Sequence, residues 1–173
     1  MKCLRESIVF WAFVAFLFGI FRILEQFGGL SDPVKVFYFW SGWLCFGSLV
    51  LGLLGRKWGR FLGHCALAFG LLHLSIFVYF DFYFAWDLMF EEIGEKTYIY
   101  LGIFSLLGMM VLGGFSFARR FYRPLVYLVL VCVALGLLHI VMIQKVLAVW
   151  HWLVIGGVIL IGFWKVGSFV PRG

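Results

Sequence analysis

The sequence predicts an all-α membrane protein, a bundle of six transmembrane helices with both termini on the cytoplasmic side. Three observations lead there. Of the 173 residues, 65% are hydrophobic and 13% charged, and the mean hydropathy is +1.08, more apolar surface than a soluble domain of this size can bury. Six runs are long enough to cross about 30 Å of hydrocarbon, which takes roughly 20 residues of helix. The charges between those runs sort by side.

The runs fall at 8–27, 36–55, 60–80, 98–118, 124–143 and 146–164, separated by charged or Gly/Pro-bearing joints. They are too long and too evenly apolar for barrel strands, which alternate over segments of about ten residues. The first begins "MKCLRES", basic like a secretory leader, but its apolar run exceeds a leader's and has no small-x-small cleavage site, so an uncleaved helix is expected. Between the third and fourth spans, "DFYFAWDLMFEEIGEKTY" mixes aromatics with acids. It predicts either a short amphipathic helix in the interface or a lid over the bundle's outer mouth. The sixth span carries "IGGVILIG", a packing face of small residues. No internal repeat or low-complexity tract stands out. Residues 1–168 read as one domain; "GSFVPRG" resembles a protease-site remnant, and 169–173 are read as a tail without function.

With the N-terminus inside, the inner joints hold Lys2, Arg5, Arg56, Lys57, Arg60, Arg119, Arg120, Arg123, Lys165 and Arg172, and only Arg22, Lys35, Lys96 and Lys145 fall outside. That bias sets the orientation and explains the net charge of +6 as topology, without nucleic acid as a partner. Seven acids, Glu25, Asp32, Asp81, Asp87, Glu91, Glu92 and Glu95, lie at or beyond the outer face, a surface suited to a cationic partner. The four cysteines, Cys3, Cys45, Cys65 and Cys132, avoid the outer loops and form no C-x-x-C or C-x-x-C-H motif, so they read as small packing residues.

Histidine occurs at 64, 73, 139 and 151, within or at the edges of spans. An ionisable ring at membrane depth is costly, so each is either a neutral ring bonded to a carbonyl or a functional group. His73 is 13 residues past Arg60 and His139 is 16 past Arg123, about 20 Å and 24 Å up parallel helices. Two imidazoles at one level on the third and fifth spans are suited to the two axial positions of a haem iron. Zinc would need three or four ligands, and no acid lies at that depth. His64, two and a half turns from His73, points to the opposite side near the inner surface and serves either structure or a second cofactor. His151, near His139 in height, reads as a supporting group or a competitor for the iron.

"GGLSDPVK" (28–35) followed by "SGW", then "GRFLGHCALAFGLLHLS" (59–75), "YIYLGI" (98–103) and "LHIVMIQK" (138–145) resemble the MsrQ (YedZ) family, within the ferric-reductase-like transmembrane superfamily. The resemblance covers about 27–145. It implies a six-helix b-type cytochrome of the bacterial inner membrane. Such a protein passes electrons from quinol or a cytoplasmic flavin reductase to a periplasmic molybdenum-dependent methionine sulfoxide reductase. His73 and His139 match the family's haem ligands on the third and fifth helices. The chain departs from the pattern at "RPLV" (123–126) and at Phe39, where relatives often carry further histidines. One haem b is therefore expected, with FMN or quinone as the other cofactors the resemblance admits.

On this reading Arg22, Lys35 and Lys145 are candidates to neutralise haem propionates, with interfacial snorkelling as their structural alternative. His64, Arg60 and Arg120 are candidates for the inner point of electron entry. Few residues follow the sixth span, so a quinol or separate reductase is the expected donor. Two other classes stay open: a self-contained transmembrane metal reductase, and a non-redox scaffold or transporter whose histidines pack or relay protons.

Overall fold

A computed structural model describes residues 33–54, 58–118, 124–144 and 147–169. They form α1 (Pro33–Leu54), α2 (Gly59–Ile76) with a π-helical turn (Phe77–Asp81) at its end, α3 (Trp86–Glu95), α4 (Thr97–Phe117), α5 (Leu125–Ile143) and α6 (Val149–Phe169), with no strand among the described residues. Among the described residues, four stretches are long and apolar enough to cross a membrane: Val34–Leu54, Gly59–Asp81, Thr97–Phe117 and Leu125–Ile143. These are the second to fifth expected spans. α6 covers most of the sixth, with a shorter apolar run at His151–Lys165, and its last residue, Phe169, takes the first position of the expected tail into the helix. The first span, 8–27, lies outside the described residues, as do Arg22, Arg120 and Lys145.

A helix satisfies its backbone polar groups within its own segment, which suits these apolar stretches to hydrocarbon. α1 opens on Pro33, whose missing N–H would be unsatisfied in a first turn anyway. Closely joined neighbours pack as hairpins, α1 with α2 and α4 with α5. α2 against α4 and α1 against α5 then close a ring of four. α2 and α5 stand on one diagonal and run in the same direction. The core they enclose is Phe46 and Leu49 of α1, Ala66 of α2, Met109 of α4, and Cys132 and Val133 of α5. α6 adds Val154 and Val158 to its edge and leaves Leu153, Leu160 and Phe163 more than two-thirds exposed, a surface for acyl chains. Cys45, Cys65 and Cys132 are free thiols within this packing.

The outer connection is helical, with Met89 buried beneath it. It is reached through Tyr83 (φ 47°) and Phe84 (φ 63°), two aromatic residues in the left-handed region, where bulky side chains are strained. Lys96 closes it, hydrogen-bonded to Glu92, which raises the ammonium's pKa above the ordinary lysine value.

The two hairpins carry a repeat that the sequence reading passes over. Ala68–His73 reads A-x-G-L-L-H, and so does Ala134–His139; Tyr38–Gly42 and Tyr98–Gly102 both read Y-x-x-x-G. The first pair is offset by 66 residues (73 to 139) and the second by 60 (38 to 98), so no single period aligns them and the match is hidden. Packing obeys the same correspondence. A Cβ at Gly70 would meet Leu106 and Cys45, and one at Gly136 would meet Phe46 and Ser105, which are the partners related by the 60-residue offset. Buried Leu49 and Met109 correspond likewise, as do Ala66 and Cys132. The ring of four is thus two equivalent hairpins about a pseudo-twofold axis.

Candidate haem site

The axis passes between His73 and His139. Their ring centroids lie 6.3 Å apart with the planes at 87°, at the end of the bundle that carries Asp81 and Lys96. Each ring is held by the first helix of its own hairpin. On α1, Tyr38, Ser41 and Gly42 fall at i, i+3 and i+4, one face of the helix. The Tyr38 ring meets His73 edge-on at 5.3 Å, and Ser41 Oγ lies 2.9 Å from His73 Nδ1. A Cβ on Gly42 would stand 3.4 Å from the His73 ring. On α4, the Tyr98 ring is 6.1 Å from His139 and the Tyr98 carbonyl is 2.6 Å from His139 Nδ1. A Cβ on Gly102 would stand 2.9 Å from the His139 ring, so only glycine leaves room for it.

These contacts fix the protons. The Tyr98 carbonyl can only accept, so His139 Nδ1 is an N–H donor. Ser41 donates its hydroxyl hydrogen to the Tyr38 carbonyl at 3.2 Å, so its oxygen receives the Nδ1–H of His73. Both rings therefore carry their proton on Nδ1 and present a lone pair on Nε2, the state in which a histidine ligates a metal while its other nitrogen is oriented by a neighbour. The pair fits a two-histidine haem in donor type and tautomer, and its two rings lie side by side between the hairpins. Among the described residues no group of three or more His, Cys, Asp or Glu side chains converges on a metal position.

The other expected site residues are placed elsewhere. His151 is buried at the start of α6 against Trp43, and its Nδ1 accepts the Ala148 N–H at 3.1 Å. That bond puts the ring proton on Nε2, the reverse of the other two, and ties the ring to the start of α6. His64 stacks on Phe117 at 4.7 Å, far down α2 from His73, and Arg60 is exposed one turn before it. Lys35 is exposed in the first turn of α1.

The sequence reading missed Ser41, Tyr38, Tyr98, Gly42 and Gly102. The signal was the shared Y-x-x-x-G, legible once the two histidines are set in register. Tyr38 Oη also donates to Asp81 at 2.6 Å, tying α1 to the π turn above His73. No family model and no solved structure matches the chain.

Proposed function

We propose that the chain is a b-type cytochrome subunit of the bacterial inner membrane. In this reading it carries electrons across the outer half of the bilayer, from quinol or a cytoplasmic flavin reductase to a periplasmic methionine sulfoxide reductase of the molybdenum type. The observation that carries the proposal is the pair of imidazoles at one height, both with Nε2 left as the ligating nitrogen. His73 and His139 would hold the iron from its two faces, and the haem, when bound, supplies one-electron chemistry that no protein side chain offers. The chain's own residues orient the rings, exclude water by apolar packing and hold each Nδ1 proton in place. The resemblance to MsrQ contributes the donor and acceptor, and the charge bias directs the Asp81 end outward.

The test is direct. Protein purified from a haem-replete membrane should show a Soret band and, on reduction, the α band of haem b. Quinol should reduce it, and oxidised methionine sulfoxide reductase should reoxidise it. A folded, colourless preparation overturns the cytochrome reading in favour of a scaffold or transporter. Reoxidation by ferric chelates but not by the reductase points to the metal-reductase reading instead.

A further inference from the structure

The pseudo-twofold symmetry is broken at one place in the site. The residue three after Tyr38 is Ser41, whereas the residue three after Tyr98 is Leu101. In the second hairpin His139 Nδ1 gives its proton straight to the Tyr98 carbonyl. In the first, the Ser41 hydroxyl adds a second partner: its oxygen lies 2.9 Å from His73 Nδ1 and donates to the Tyr38 carbonyl, which also faces the ring as a backbone partner. Building on the haem reading, we infer that Ser41 is a positioning residue for His73: its hydroxyl holds the Nδ1 side and the plane of the ring so that Nε2 is the ligating nitrogen.

Ser41 is suited to this because it is 4% exposed, so no water competes for either of its bonds. A hydroxyl has one hydrogen and can serve His73 in either of two ways. Donating to the ring would force the ring proton onto Nε2 and block ligation; accepting from the ring leaves Nε2 free. The Tyr38 carbonyl decides between them by taking the hydroxyl hydrogen. Gly42, one residue on, holds the ring against α1 so that Nδ1 stays opposite Oγ. The outcome matches His139, whose Nδ1–H is held by the Tyr98 carbonyl at 2.6 Å.

The experiment compares Ser41→Ala and Ser41→Thr with the wild type, all purified with haem. In the alanine variant His73 loses the hydroxyl and keeps only the Tyr38 carbonyl. Haem affinity should fall about 10- to 100-fold, as when a metal-binding histidine loses its orienting partner. The midpoint potential should move positive, because a less basic imidazole stabilises the ferric state less. The electron paramagnetic resonance spectrum of the oxidised haem should broaden as the ring plane loosens. Threonine keeps the hydroxyl and its reach to a carbonyl one turn back, and should restore all three. An alanine variant with unchanged affinity and potential overturns the assignment, and so does a negative shift, which would show the Tyr38 carbonyl holding the ring better alone. A colourless wild type removes the haem reading itself, an outcome distinct from a haem-loaded wild type with an indifferent variant.

Discussion

The α1–α2 and α4–α5 hairpins each bring one imidazole to the same height by the same means, a tyrosine and a glycine one turn apart on the first helix, facing a histidine late on the second. They differ in small compensations. Where the second hairpin has Gly108 against Cys132, the first has Ser48 and Ala66 at the equivalent positions, so bulk moves from one helix to the other. Where the second has a carbonyl taking the ring proton, the first adds a hydroxyl beside the carbonyl. Symmetry places the site, and departures from symmetry separate the roles of its two halves.

The largest effect comes from removing either ring. On the proposed haem reading, His73→Ala and His139→Ala should each abolish the Soret band, because each removes one of the two rings that would hold the iron. Retention of full haem content by one of them breaks the equivalence and assigns the iron to a different partner. His151→Ala, by contrast, should keep its haem and lower only thermal stability, since its ring orders the start of α6.

Next come the compensating contacts. The Cys132 sulfur lies so close to Gly108 that an added methyl cannot fit, and Gly108→Ala should cost about 1–3 kcal/mol by overpacking. Adding Cys132→Ala makes room and should recover most of the loss, a coupling that a double-mutant cycle in detergent unfolding reads directly. Additive losses would show that the two positions do not exchange volume.

Glycine at the rings sharpens the comparison further. A methyl at Gly102 would meet the rigid His139 ring at 2.9 Å, while one at Gly42 would reach ordinary contact with His73 at 3.4 Å. Gly102→Ala should push His139 off the Tyr98 carbonyl and lower haem affinity about tenfold or more, the loss typical of a displaced supporting bond. Gly42→Ala should change it by less. The reverse order would mean that His73 and not His139 is the more tightly seated ring.

Much of this was legible in the sequence because membrane helices obey simple arithmetic. Charged joints fix where each span begins, 1.5 Å per residue fixes height, and so His73 and His139 could be levelled against Arg60 and Arg123 before any contact was known. What height cannot give is azimuth. Whether a ring at a given level faces its mate or a neighbouring helix depends on packing, and His151, near His139 in height, bonds the backbone at its own helix start. The repeat was hidden for a different reason: the unequal offsets of 60 and 66 residues defeat any search for one period. Ser41 was invisible as a single serine in an apolar helix, and only its two hydrogen bonds separate it from a packing residue.

The smallest expected effect sits at the glycine of each A-x-G-L-L-H. A methyl at Gly136 would lie 3.5 Å from Phe46 and 3.6 Å from Ser105, ordinary contact with no neighbour displaced. At Gly70 the same methyl would stand 3.0 Å from Leu106 and 3.3 Å from Cys45 and Met109. Replacing a mid-helix glycine with alanine gains at most about 1 kcal/mol from reduced backbone freedom. At Gly136 nothing offsets that gain, so Gly136→Ala should be neutral or raise the melting temperature. At Gly70 the flexible ends of Leu106 and Met109 must yield, which consumes the gain and leaves Gly70→Ala neutral or slightly destabilised. If the two variants reversed order, the hairpins would not pack by the correspondence that sets His73 opposite His139, and the pseudo-twofold relation would have to be redrawn.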